Sequence, residues 1–223
     1  MIQVAVLGAA GKMGQAVCHA VEGADDMRVS GRADPALNIS AAEALEGADV
    51  AVDFTRPDQV IANARETLQA GVHLVVGTSG FSMSQLRELA ESHPQAKVFV
   101  AANFAIGAVL MMRFAAEAAR HMDAAEIVEY HHPAKLDSPS GTAKRTVELM
   151  REASGADVPV HSLRLPGVVA DQDVIFGAEA QTLTIRHATT ARTSFMPGVL
   201  LAVRRVGELT ESPTIGLERL LWP

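Results

Sequence analysis

The first fourteen residues constrain the fold more than any later stretch. Ile2-Gln3-Val4-Ala5-Val6-Leu7 reads as a buried strand and runs without a spacer into Gly8-Ala9-Ala10-Gly11-Lys12-Met13-Gly14, after which apolar residues recur at helical spacing through Val17 and Val21. Strand, glycine turn and helix in that order open a dinucleotide-binding unit, because backbone N–H groups at the helix start face a pyrophosphate. The spacing departs from G-x-G-x-x-G, since Ala10 stands two after Gly8 and the next glycine is Gly11. A tight turn without ligand is the alternative reading. Arg28-Val29-Ser30-Gly31-Arg32-Ala33-Asp34 weighs against it: this second strand ends in an acid twenty residues after Gly14, where a carboxylate for a ribose belongs.

The alternation continues. Val50 to Phe54 is a strand ending in Thr55-Arg56-Pro57, 58–70 a helix, His73 to Thr78 a strand, Ser84 to Ser92 a helix and Lys97 to Ala101 a strand. This rhythm predicts an α/β, Rossmann-like domain with a parallel sheet covered on both faces. Only one short helix fits between Asp34 and Asp49, so the fold is trimmed there. Small and hydroxyl residues recur at the strand ends (Gly8, Thr55, Gly77-Thr78-Ser79-Gly80, Asn103), and in open α/β sheets the ligand crevice lies at that edge. After an apolar helix, 106–121, the pattern changes to strand-like runs at 126–130, 158–165, 174–177 and 181–188 around a helix at 143–153. These predict a second, α+β domain with a mixed or antiparallel sheet. Residues 198–206 and 215–221 read as helices returning to the first domain. The expected division is 1–103 with 198–223 for the dinucleotide, and 104–197 for substrate and assembly.

Composition excludes several classes. With 223 residues and 48% hydrophobic content the chain can bury a core, and a net charge of -7 without a basic run longer than two argues against nucleic acid. Cys18 is the single cysteine, so no intrachain disulfide forms and the residue reads as core. The most apolar stretch, Phe104 to Met112, stops at Arg113, short of the roughly 20 residues a membrane span needs. Met1 runs straight into the first strand without a signal-peptide pattern, and a cytoplasmic location is expected.

Residues Glu129 to Ala143 crowd two imidazoles, an ammonium, carboxylates and hydroxyls into fifteen positions. Such groups must be paired or exposed in a cleft, and clefts of this kind are functional candidates. On an extended segment His131 and His132 project to opposite faces, so they cannot easily chelate one ion together, and no metal is expected. The bland reading has one histidine ending a strand and the other solvated; Lys135 and Asp137 in the same loop weigh against it. Pro139-Ser140-Gly141-Thr142 starts a helix, with Ser140 or Thr142 near the N-cap, where N–H groups and the Lys135 ammonium suit a carboxylate. Ser140 lacks the nucleophile-elbow pattern. A nicotinamide site with an anion-binding, proton-donating loop suits hydride transfer to an anionic substrate with coupled protonation.

With these motifs in place the chain resembles the 4-hydroxy-tetrahydrodipicolinate reductase (dihydrodipicolinate reductase) family over nearly its whole length. The most specific match is E-x-H-H-x-x-K-x-D-x-P-S-G-T-A, from Glu129 to Ala143, supported by 8–14, 53–57, 77–81 and Ala101-Ala102-Asn103-Phe104. The resemblance implies reduction of 4-hydroxy-tetrahydrodipicolinate to tetrahydrodipicolinate with NADH or NADPH in lysine and diaminopimelate biosynthesis, by a homotetramer built on the second domain's sheet. It implies that His131 and Lys135 are catalytic and that His132, Lys135, Ser140, Gly141 and Thr142 hold the dicarboxylate. The cofactor would rest on Gly8, Ala10, Gly11, Lys12, Met13, Gly14, Asp34, Phe54, Thr55, Gly77, Thr78, Ala101, Asn103 and Phe104. Ala170-Asp171-Gln172 departs from the family's G-E-H, and several loops are shorter. A dinucleotide-binding sensor without turnover, against which His131 and Lys135 argue, and a reductase of another small dicarboxylate stay open. Asp34 would accept from a 2′-OH and repel a 2′-phosphate, which leans the cofactor toward NADH, although Lys12 can still pair with that phosphate.

Overall fold

The computed structural model describes residues 1–222. Backbone contacts divide the chain into two compact units: Met1–Phe104 with the stretch from Phe195 onward, and Ala105–Ser194.

The first unit opens with β1 (Ile2–Leu7), α1 (Lys12–Glu22) and β2 (Met27–Ala33), followed by α2 (Ala41–Leu45), β3 (Val50–Asp53), α3 (Val60–Gln69), β4 (His73–Val76), α4 (Met83–Ser92) and β5 (Val98–Val100). β3 and β5 are buried along their whole length, as expected of strands covered on both faces. α1 is held by Gly14, Val17, Cys18 and Val21, one stripe at helical spacing, and α3 by Val60, Ala64, Thr67 and Leu68. The trimmed crossover contains a three-residue 3-10 turn, Pro35–Leu37, and the five-residue α2, which opens with a reciprocal Ser40–Glu43 capping box. α2 lies so close to β2 that a Cβ on Gly31 would come within 2.0 Å of the Ala44 carbonyl oxygen.

The second unit consists of α5 (Ile106–Ala118), β6 (Ala124–His131), α6 (Gly141–Ser154), β7 (Val160–Arg164), β8 (Ala170–Ala178) and β9 (Gln181–Thr189). Its sheet has the order β7-β6-β8-β9, with β6 and β7 parallel and the other pairs antiparallel. Ile127, Val174 and Phe176 point to one face, and the helices supply Ala108, Met111, Ala115, Ala143 and Met150 as buried residues. β8 is longer than the expected 174–177. Its polar start extends the strand because Asp171 and Asp173 fall on the opposite face, where Arg186 of β9 pairs with both, at 3.3 and 3.4 Å. The strand β6 ends at His131, so His132 leaves the extended segment instead of alternating along it. The helix α5 stops at Ala118, three residues before the expected end.

The chain re-enters the first unit through α7 (Met196–Arg205), where Pro197 occupies the first turn, a position that needs no N–H donor. The helix expected over 215–221 is a correction. Thr214–Ile215 form β10, a two-residue strand parallel to β5, and the helix α8 covers only Glu218–Leu221. Two β-branched residues beside the bare edge of β5 pair with it, and Gly216 at φ +96° turns the chain before a helix can start. The completed sheet is parallel throughout, in the order β10-β5-β4-β3-β1-β2.

Candidate active site

In the first unit the chain crosses from β1 to β2 on one side and to β3 on the other, so the strand order reverses between β1 and β3. Ligands bind open α/β sheets at such a switch point, beyond the carboxyl ends of the strands. Both flanking turns carry expected residues. Gly8 sits at φ +82°, and a Cβ there would lie 2.9 Å from the Phe54 carbonyl oxygen; one on Gly14 would lie 2.0 Å from the Gly8 oxygen. Glycine is required at both positions by space, which lets α1 start hard against the strand. Gly11 caps α1 without a side-chain acceptor, Lys12 is exposed and Met13 half-buried.

Asp34 fastens this turn. Its Oδ2 accepts the N–H of Ala10 at 3.1 Å and its Oδ1 that of Ala36 at 2.9 Å, while Gly8 and Ala9 donate to the Ala33 carbonyl. Across the switch point, Asp53 is fully buried and accepts from the Thr55 N–H at 2.8 Å, the Thr55 hydroxyl at 2.7 Å and the Asn63 amide at 2.9 Å. The Thr78 hydroxyl donates to the Thr55 carbonyl at 3.0 Å, which ties the turns after β3 and β4 together. Phe54 packs where a Gly77 side chain would stand, 2.1 Å from the missing Cβ, and its ring centroid is 5.8 Å from that of Phe104. Ala101 is buried and Asn103 half-buried just after β5. These residues line one edge of one sheet. The glycine cradle fits the pyrophosphate of a dinucleotide, since added methyl groups would fill the space it needs.

In the second unit, strand register explains the polar cluster. Ser162, Glu129, Gln172 and His187 are successive partners across all four strands, while two residues back along β6 the corresponding row on the same face is Val160, Ile127, Val174 and Ile185. The inward face therefore changes from apolar to polar within two residues of the end of β6. Glu129 is wholly buried. Arg164 grips it with Nη1 at 3.1 Å from both carboxylate oxygens and Nη2 at 3.1 Å from Oε1, and His131 Nδ1 closes on Oε2. Burial pushes the Glu129 carboxyl up, but hydrogen bonds from Ser162, Arg164 and His131 together outweigh it and hold the group below the usual carboxylate range. Burial lowers His131, against the pull of Glu129.

The loop beyond β6 is tied to the same guanidinium. Arg164 donates to the carbonyls of Asp137 at 2.8 Å and Lys135 at 3.4 Å. Lys135 is mostly covered and donates to Asp137 at 2.7 Å, which lowers the Asp137 carboxyl. Ser140 is the N-cap of α6, its buried Oγ accepting the Ala143 N–H at 3.1 Å. As an acceptor it is thus committed. Gly141 and Thr142 form the first turn of this 14-residue helix, and His132 is exposed. Among the described residues no group of three or more His, Cys, Asp or Glu is placed to hold a metal ion.

Sequence comparison matches the N-terminal domain of dihydrodipicolinate reductase to residues 2–104 and the C-terminal domain to residues 107–221. The chain belongs to the dihydrodipicolinate reductase family. It is 44% identical to 4-hydroxy-tetrahydrodipicolinate reductase of Mycolicibacterium smegmatis over 99% of both chains, and 45% identical to that of Nocardia farcinica over 99% of this chain and 98% of the relative. Among solved structures, a dipicolinate-bound dihydrodipicolinate reductase from Paenisporosarcina sp. TG-14 superposes with a TM-score of 0.83 at 36% identity, covering 98% of this chain and 99% of that one. Membership in this reductase family makes the chain an oxidoreductase of lysine and diaminopimelate biosynthesis that works with a nicotinamide dinucleotide.

Two features of this dihydrodipicolinate reductase chain escaped the sequence. Arg164 lies between Leu163 and Leu165, and alternation read by hydropathy would turn the leucines inward; instead Leu163 is 40% exposed and the Arg164 side chain only 21%. Asp53 stood in a recognised motif without a role, because its partner Asn63 is ten residues on and one helix away. The signal for it was a carboxylate ending an otherwise apolar strand.

Proposed function

We propose that the family reaction runs in this chain with weak discrimination between NADH and NADPH, leaning to NADH, and with 4-hydroxy-tetrahydrodipicolinate as substrate. The first unit binds the dinucleotide at the Gly8–Gly14 turn and the turns after β3, β4 and β5; the loop from His131 to Thr142 binds the dicarboxylate. The nicotinamide, when bound, supplies a hydride. Net, the substrate takes that hydride and one proton and gives up its hydroxyl as water. His131 and Lys135 hold and deliver the proton, and the Lys135 ammonium, the exposed His132 ring and the first turn of α6 at Ser140, Gly141 and Thr142 meet the carboxylates. The dipicolinate held by the Paenisporosarcina relative supports a substrate of this size and charge.

The observation that carries this reading is the pairing of His131 with the buried Glu129 carboxylate at the end of β6, directly before the loop that holds Lys135. A structural histidine at a strand end needs no such backing. The test is oxidation of NADH and NADPH with enzymatically generated substrate, set beside a panel of other small cyclic dicarboxylates. Turnover confined to another dicarboxylate, or absent with all, would replace the reading.

Assembly as a homotetramer and residence in the cytoplasm belong to the same proposal. Leu163 and Ile175 are exposed on the sheet face opposite Ile127, and β9 ends the strand order, which a neighbouring copy would cover. Among the described residues no helix is long and apolar enough to cross a membrane.

A further inference from the structure

We infer that Glu129 is the positioning residue for His131: fixed by Arg164 in the sheet interior, it accepts the Nδ1 proton and so leaves Nε2 as the nitrogen that exchanges protons at the site. The inference rests on His131 being the acid proposed above.

Geometry supplies the first argument. Glu129 and His131 share one face of β6, and Arg164 lies directly opposite His131 in the β6–β7 register. A carboxylate only accepts hydrogen bonds, so the ring nitrogen that meets it must carry a proton. Neutral His131 is thereby held as the Nδ1–H tautomer with its Nε2 lone pair directed away from Glu129, and the imidazolium is the form Glu129 stabilises. The carboxylate cannot turn to another task, because Arg164 holds both of its oxygens and Ser162 donates a further hydrogen bond.

Charge supplies the second. The groups that act on His131 are Glu129 on its own strand, Arg164 from β7, and Lys135 in the following loop, with Asp137 beside Lys135. Burial, Lys135 and Arg164 all disfavour the imidazolium; Glu129 is the chief group that favours it, with a smaller attraction from Asp137. Without Glu129 the ring would be pushed further down from its ordinary value. The same Arg164 fork reaches the Lys135 and Asp137 carbonyls, so one buried ion pair sets the place of both proposed donors.

Ring nitrogen NMR shifts of histidine-labelled protein test this, with His131→Gln identifying the His131 signals. In the unaltered chain, neutral His131 should show a protonated Nδ1 and an unprotonated Nε2; the reverse tautomer overturns the inference. In Glu129→Gln the His131 titration should move to lower pH and kcat should fall on the order of 100-fold, the scale of a general-acid contribution. Nucleotide affinity should stay near wild type, kcat should fall by a larger factor than substrate KM rises, and the limb of the kcat profile that falls with rising pH should begin at lower pH. A folded Glu129→Gln protein with an unchanged His131 titration also overturns it. Wild-type turnover in His131→Gln would sink the functional reading of His131, an outcome separate from the tautomer result.

Discussion

Asp34 accepts the backbone N–H of Ala10 at 3.1 Å, so the acid that ends β2 also shapes the glycine turn that follows β1. Asp34→Ala should therefore do more than erase a ribose contact. A hydrogen bond to a charged group is worth about 1.5–3 kcal/mol, so NADH affinity should drop roughly tenfold or more and the lean toward NADH should disappear. Catalytic efficiencies with both nucleotides, wild type against variant, check this; a wild-type preference for NADPH above about a hundredfold, far beyond what one such contact can offset, would reverse the lean.

Gly14→Ala tests the cradle itself. Its methyl would stand 2.0 Å from the Gly8 carbonyl oxygen, a backbone atom that cannot step aside, so the turn must open. Overpacking of this kind costs about 1–3 kcal/mol. Nucleotide binding by fluorescence titration should be lost and the thermal midpoint lowered, and unaltered affinity would show that the pyrophosphate does not lie on this turn.

Substitution at the polar loop should separate chemistry from binding. Lys135→Ala and His131→Gln should each reduce turnover by about a hundred- to ten-thousandfold, the range of general acid contributions, with nucleotide affinity retained. Lys135→Ala should also raise the substrate KM, because its ammonium neutralises a carboxylate; His131→Gln should raise it less. If both variants turn over within about threefold of wild type, well below that range, the loop is not the catalytic centre.

Acid should weaken the fold in two stages. Burial lowers His73, His131 and His187 below their ordinary value of 6.5, so as pH drops past that value the unfolded chain takes up protons that the folded chain does not. Unfolding is then favoured by protonation, and stability declines from about pH 6.5 downward until the folded histidines titrate. Glu129 and Asp137 lie below their ordinary values of 4.5 and 3.8; their contribution, present above those values, is lost as pH falls through the folded ones. Urea midpoints measured from pH 8 to 4 should begin to fall near 6.5. A flat profile between pH 7 and 5 would contradict the histidine part.

Light scattering at micromolar concentration should report four copies. Leu163→Glu, placed on the exposed sheet face, should shift the population to smaller species without altering β6 or the loop beyond it. A wild-type monomer would remove the assembly proposal.

Much of the architecture was legible because parallel strands buried on both faces appear as short apolar runs, such as Val50 to Val52 and Leu74 to Val76. The second sheet was harder. The beginning of β8, Ala170-Asp171-Gln172-Asp173, carries no hydropathic signal, since its carboxylates are matched by Arg186 on the neighbouring strand and its glutamine by Thr146 on α6. Local periodicity cannot see partners 13 to 26 residues away. The motif around His131 and Lys135 was visible for the same reason that Arg164 was not. A dense cluster announces itself, whereas a lone arginine between two leucines looks like an outward-facing residue until the register of β6 and β7 turns it inward.

The pairing of β10 with β5 gives the molecule a timetable. A ribosome delivers β1 to β5 first and then the whole of the second unit before Thr214 and Ile215 exist. Throughout that interval β5 is an open template at the border of an otherwise finished sheet, free to recruit the extended segments that follow it, including the alternating β6. Its shortness, three residues from Val98 to Val100, limits how firmly a wrong strand can dock there. Lengthening β5 would hold such intruders more tightly and slow maturation, even if the finished fold became more stable.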